Sequence, residues 1–153
     1  MRLWWITLSL VAVPTLALAA GNAGVGRFAT DPVTGYALGG HDPVAYFTDK
    51  APRRGEAELE AHWRGVVWTF VNEGNRAAFV AAPEVYAPRF GGCDPYSLAE
   101  GYATTGNPLV FALYGERLYL FHSEVDRFLF LANPEHLRAE AEKNADRLEC
   151  VPK

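Results

Sequence analysis

Methionine is almost missing from this chain: Met1 is the only one among 153 residues, so thioether ligands play no part in what the protein binds. Clustered positive charge is missing too. Lys and Arg number 14 against 18 Asp and Glu, for a net charge of −4, and Arg53-Arg54 is the only basic pair. Nucleic-acid binding needs a basic face and is excluded on that ground. No Cys-x-x-Cys, His-x-x-x-His, Gly-x-Gly-x-x-Gly, phosphate loop or Gly-x-Ser-x-Gly elbow occurs, which removes the common signatures of metal clips, nucleotide cofactors and serine hydrolases. Cysteine is limited to Cys93 and Cys150.

Long apolar runs are absent beyond Leu3 to Ala20. That run follows a lone Arg2 and ends in Ala17-Leu18-Ala19, a small-x-small pattern, so residues 1–19 read as a secretory signal peptide. Pro14 and the polar Thr7, Ser9 and Thr15 make it a poor spanning helix. No cysteine follows the cleavage point and Arg2 is unpaired, which argues against a lipoprotein and a twin-arginine signal. The expected product is periplasmic or secreted, with a small, Gly-rich flexible leader over residues 20–27.

What the chain does have is a repeat. Gly39-Gly40-His41-Asp42-Pro43 returns as Gly91-Gly92-Cys93-Asp94-Pro95, and Trp63, Trp68, Phe70, Glu73, Arg76, Phe79, Pro83 and Glu84 fall without a gap on Tyr114, Tyr119, Phe121, Glu124, Arg127, Phe130, Pro134 and Glu135. His41 and Cys93 stand 52 residues apart, Trp68 and Tyr119 51 apart. Each copy is too small to bury its own apolar face, so residues 28–150 are expected to form one domain from two repeats, 39–88 and 91–137.

Within each copy the pattern predicts a hairpin followed by a helix. Residues 59–63 and 66–70 are β-rich around Arg64-Gly65, and residues 109–113 and 117–121 around Tyr114-Gly115-Glu116. Asn72 and Ser123 stand where N-caps belong, ahead of Ala77, Ala78 and Phe79 in one copy and Phe128, Phe130 and Leu131 in the other. Asp42-Pro43 and Asp94-Pro95 read as caps with proline at the first helical position. Pro32-Val33-Thr34-Gly35 reads as a turn, and Pro134 opens a C-terminal helix to about Leu148 with Leu137, Ala141, Ala145 and Leu148 on one face. The fold class is therefore α+β, with the four strands expected in one antiparallel sheet. The repeating aromatics, Tyr46, Phe47, Trp63, Trp68, Phe70, Phe79, Tyr86, Phe90, Tyr119, Phe121, Phe128 and Phe130, are expected in the core, and an apolar pocket between the copies would suit a small ligand.

Gly40-His41-Asp42-Pro43-Val44-Ala45-Tyr46-Phe47, Trp68-Thr69-Phe70-Val71-Asn72 and Pro83-Glu84-Val85-Tyr86-Ala87-Pro88, with Tyr119-Leu120-Phe121-His122-Ser123 in the second copy, resemble the YHS domain family. The resemblance implies a treble-clef or TRASH-like fold and a role in binding a metal, copper or another soft or borderline ion. Single-copy members carry cysteines at positions that here are Ala45 and Val71, and in the second copy Ser97 and His122.

A metal site needs imidazole or thiolate groups converging on one point. His41 and Cys93 occupy equivalent repeat positions and His122 ends the second hairpin, so His41, Cys93 and His122 form the candidate set for copper or zinc; His62 and His136 complete the histidines. The competing reading pairs Cys93 with Cys150 in a disulfide, as two cysteines in an exported protein commonly do. Ser97 with His41 and Asp42 or Asp94 makes a triad only on paper, and Ser123 is explained as a helix cap. The sequence thus reads as a small exported binding protein, non-enzymatic, with a metal ion as the favoured ligand; the alternative is a structural or protein-interaction module without an ion.

Overall fold

The computed structural model describes residues 28–148 and Cys150. The expected signal peptide and leader lie outside the described residues. Among those described, no helix is long and apolar enough to cross a membrane.

The chain is mixed helix and strand. A turn over residues 32–34 follows Asp31, whose carboxylate accepts from the Val33 and Thr34 amides, and a short 3-10 turn occupies Leu38–Gly40. Next come helix α1 (Ala45–Thr48), strands β1 (Glu56–Trp63) and β2 (Val66–Phe70), and helices α2 (Glu73–Ala81) and α3 (Pro83–Tyr86). The second copy repeats this order: a 3-10 turn at Arg89–Gly92, α4 (Pro95–Ala99), β3 (Asn107–Tyr114), β4 (Arg117–Phe121), α5 (Glu124–Ala132) and α6 (Pro134–Ala145). Asn72 Oδ1 accepts the Asn75 amide at 2.8 Å and Ser123 Oγ the Asp126 amide at 3.2 Å, so both expected N-caps form. Residue α6 Ala145 ends the last helix three positions before the expected Leu148.

The hairpins share one register, including its irregularity. Trp63 pairs with Val66, Glu60 with Thr69 and, past a bulge, Glu56 with Phe70; Tyr114 pairs with Arg117, Phe111 with Leu120 and Asn107 with Phe121. Both turns need two consecutive residues with positive φ, which Arg64-Gly65 and Gly115-Glu116 supply. The bulged end is held by a close backbone approach. The Gly55 amide donates to Gly40 O at 2.9 Å and the Gly106 amide to Gly92 O at 2.9 Å. A Cβ at Gly55 would stand 2.5 Å from the Thr69 carbonyl carbon, and one at Gly106 would stand 2.6 Å from Leu120 Cβ and 2.8 Å from Gly92 O.

The four strands do not form the single sheet expected from the sequence; they make two separate two-stranded sheets. The physical reason is that β2 gives part of its free edge to the N-terminal segment, where Ala37 N donates to Val67 O at 2.9 Å, and the repeats meet through side chains instead. Leu118 and Leu120 on one face of β4 join the cluster built by Trp68, Phe70, Phe79, Tyr46 and Phe28 of the first copy. Tyr119 and Phe121 on the opposite face pack on Phe130 of α5, as period-two alternation requires. Tyr46 adds a direct tie, its hydroxyl donating to Pro108 O at 2.8 Å and its ring meeting Phe111 edge-on at 4.9 Å.

Phe128 departs from the expected core: it is 73% exposed while Phe130 is fully buried. Two residues on a helix differ by about 200° in direction, so only one of the pair can face the hairpin. Leu131 is likewise half exposed. Of α6, Ala141 is buried with Ala145 and Leu148 against Cys93 and Leu98, while Leu137 packs with Tyr119 and Phe130.

Gly106→Ala is expected to lower stability by roughly 1–3 kcal/mol, the usual cost of forcing atoms into filled space, read as a lower urea midpoint at unchanged slope. An unchanged midpoint would mean the Gly106–Gly92 approach does not constrain the fold.

Candidate functional site at the junction of the repeats

Each Gly-Gly loop leads into a fully buried aspartate. Asp42 Oδ1 accepts the Val44 and Ala45 amides at 2.8 and 3.3 Å, and Oδ2 accepts the Val71 amide at 2.9 Å and the Asn75 side-chain amide at 2.7 Å. Asp94 Oδ1 accepts the Tyr96 amide at 2.8 Å and Oδ2 the His122 amide at 2.9 Å. Asp94 therefore caps α4 with Pro95 at its first position, as the Asp-Pro order implies, whereas α1 begins only at Ala45 with Val44 in the cap position, so Asp42 holds the turn ahead of the helix rather than capping it; both aspartates also tie their segment to the end of a hairpin. That second role needs the fold and is invisible in the local pattern. Loop pairing is equally symmetric: Asp42 N donates to Arg53 O at 2.8 Å and Asp94 N to Thr104 O at 2.9 Å.

The two loops approach each other through the N-terminal segment, since Ala29 N donates to Gly91 O at 2.8 Å while Thr30 pairs with Ala37. Phe28 anchors that segment against Trp68, with ring centroids 5.0 Å apart. Between them lies a cavity of about 180 Å³, walled by Phe28, Leu38 and Trp68 from one side and Pro88, Pro108 and Leu120 from the other, with Gly39, Gly91 and Gly92 at its edge. Leu38 and Phe90, equivalent positions in the repeats, both hold φ near 54°, a left-handed conformation that L side chains rarely adopt. Strain of this kind persists only where surrounding structure enforces it, and here it aims the Leu38 side chain inward, leaving the residue 4% exposed.

No buried side-chain nitrogen or oxygen among the described residues lacks a hydrogen-bond partner. The cavity lining is mostly apolar, with Thr30, Asp31 and Thr105 as its polar members, and among the described residues no unpaired buried side-chain nitrogen or oxygen is aimed into it.

Cys93 is bonded to Cys150, with Cα atoms 5.7 Å apart, and no free cysteine remains. Its sulfur is thus committed to the cross-link rather than to the expected metal set. His41 Nδ1 lies 2.8 Å from Leu38 O, and the exposed His122 has Nδ1 3.3 Å from Thr105 O. Among the described residues no group of three or more His, Cys, Asp or Glu side chains is arranged to hold a metal ion. Ser97 Oγ is buried and donates to Asp94 O at 2.9 Å, so the paper triad with His41 and Asp42 or Asp94 leaves its hydroxyl engaged with backbone. Thr105 Oγ1 donates to Cys150 O at 3.1 Å, fastening the C-terminal end beside the second loop.

Sequence reasoning passed over the N-terminal segment, which walls the cavity, and Asn75, which completes the Asp42 shell. A signal for Asn75 was present in the repeat: its counterpart is Asp126, a replacement of donor by acid at an otherwise matched position.

No family model, no curated protein and no solved structure matches the chain.

The disulfide closes a loop of 57 residues, which in the chain-entropy model contributes about 4 kcal/mol. Reduction is expected to lower the denaturation midpoint accordingly, and the unfolded, unreduced protein should titrate no thiol with Ellman's reagent. Two titratable thiols would return Cys93 to the list of ligands.

Proposed function

We propose that this protein is an exported, non-catalytic binding domain built from two YHS-like units, and that its site is the apolar cavity where the two Gly-Gly loops meet. The observation that carries this reading is the cavity's construction from both repeats and the N-terminal segment, with an apolar wall and an inward-held, strained Leu38. Ligand sites favour such internal junctions. The hairpin-then-helix order repeated in each copy, together with the Asp-Pro and Tyr-x-Phe-His-Ser motifs, supports a YHS-like, treble-clef-related ancestry. The disulfide is compatible with an oxidising compartment, in line with the signal-like residues 1–19.

The ligand class follows from size and lining. Dry apolar cavities of about 150 Å³ take up benzene, so a volume of about 180 Å³ fits a single ring or a compact branched chain rather than an extended lipid. With all buried polar side chains already paired, affinity would come mainly from apolar contact, and a polar substituent would have to point to solvent or to the Thr30, Asp31 and Thr105 edge. In this reading a metal ion is not the ligand.

Toluene serves as the probe. Saturable chemical-shift changes at Leu38, Trp68 and Leu120 are expected in the oxidised protein, and Ala29→Phe, which fills the cavity from the N-terminal segment, should abolish them while near-ultraviolet circular dichroism stays native. No saturable uptake by the wild type would overturn the cavity as the site and leave the interaction-module reading, for which the exposed Val125 and Phe128 of α5 speak. Stoichiometric uptake of copper or zinc by the oxidised protein, lost in His41→Ala, would instead favour the metal reading.

A further inference from the structure

The two repeats differ in the side chain that closes the shell of the buried aspartate. In the first copy the shell of the buried aspartate is closed by Asn75, whose side-chain amide donates to Asp42 Oδ2 at 2.7 Å. In the second copy the same position, the third residue of the helix after the hairpin, is Asp126, so the register that brings the Asn75 amide to Asp42 brings a carboxyl toward Asp94. Two ionised carboxylates have four acceptor oxygens and no donor between them, so the bond that Asn75 makes in one repeat cannot form in the other without a proton. We propose that Asp94 and Asp126 share one proton, and that this proton is a pH-sensitive clasp fastening the start of α5 to the loop that opens α4.

The surroundings of the pair favour retention of the proton. Asp94 is fully buried, and among the described residues its carboxyl accepts hydrogen bonds only from the Tyr96 and His122 amides. Burial pushes its carboxyl up to about 6, the two amides oppose that, and the neighbouring Asp126 charge adds to it. Among the described residues no cation acts on the Asp94 carboxyl. From α4 and the segment after it come the Tyr96 and Tyr102 phenols and Glu100; the Tyr102 phenol is itself pushed up, by burial first and then by the Asp126 charge. From the end of β4, His122 contributes its backbone N–H, while its ring turns to Thr105 O. On α5, Arg127 is drawn to Glu124 and to Phe111 O, and Ser123 Oγ donates to Asp126 Oδ2 at 2.8 Å.

The sign follows from linkage. An unfolded aspartate titrates at about 3.9, whereas the folded Asp94 holds its proton up to about 6. The folded state therefore binds more protons across this window, and the stability contributed by the clasp is fully present below about pH 4 and is lost as pH rises through about 6. In the first copy the corresponding donor is the Asn75 amide, which keeps its protons at every pH.

The two repeats allow a reciprocal experiment on the full, oxidised protein. Asp126→Asn installs the first copy's donor and is expected to raise the melting temperature by several degrees at pH 7.5 while leaving it nearly unchanged at pH 4. Asn75→Asp should do the reverse, lowering the melting temperature at pH 7.5 and recovering most of it at pH 4. The side-chain carboxyl carbon of Asp94 in the wild type should titrate near pH 6, and in Asp126→Asn that step should move down toward the ordinary aspartate range. The carbon measurement decides the matter even if one variant folds poorly: an Asp94 step near pH 4 in the wild type would overturn the shared proton. An Asp126→Asn effect of equal size at both pH values would overturn it as well, since a purely steric gain has no pH dependence.

Discussion

The structure depends on a carboxylate taken out of water. In each repeat an aspartate with no exposed surface gathers amides from two places far apart in sequence, the start of a short helix and the end of a hairpin. Burying such a group costs several kcal/mol unless its oxygens are filled, and hydrogen bonds to a charged acceptor return about 1.5–3 kcal/mol each. Because the amides come from different elements, the carboxylate is satisfied only when hairpin, loop and helix are all in register. The glycines at the bulged strand ends serve the same closure, since a side chain at Gly55 would collide with the Thr69–Phe70 backbone of the facing strand and one at Gly106 with Leu120 and the Gly92 carbonyl.

The two copies differ in what they pack around this shared node. The first carries the larger aromatic cluster, in which Trp68, Phe70 and Phe79 sit with Phe28, and it borrows Leu118 and Leu120 from its twin. The second has thinner clusters, around Tyr119 and Phe130 on one side and Leu98 and Ala141 on the other, and relies on α6 and the Cys93–Cys150 bridge to hold them. A small core that cannot supply enough apolar burial is commonly stapled in this way. The same division explains why the cysteine stands where the first copy has His41: the bridge needs a thiol in the second loop only, where the C-terminal segment returns to it.

Much of the local structure was legible because local chemistry specifies it. Asn72 and Ser123 cap helices through their own side chains, Arg64-Gly65 and Gly115-Glu116 sit in two-residue turns, and Asp94-Pro95 starts a helix, all through contacts within a few residues. The pairing of Cys93 with Cys150 was legible from composition and signal-like residues, because two cysteines leave one intramolecular choice. The single sheet was not, since hairpin patterning fixes which strands pair inside a copy and says nothing about whether the free edges of two hairpins meet. Phe128 misled for a related reason: it fills a repeat-like aromatic pattern, yet helical rotation turns it to solvent.

By itself the sequence determined the repeat, the hairpin-helix order, the caps and the cross-link, each of which rests on neighbours along the chain or on counting. Only tertiary structure decided that the copies join through side chains rather than strand edges, that the N-terminal segment from Phe28 walls a cavity between the two loops, and that the Asp126 charge comes to bear on the buried Asp94. The physical reason is burial. Whether a carboxyl keeps its proton, a histidine finds partner ligands or a gap stays open depends on which surfaces exclude water together, and that is set by distant elements.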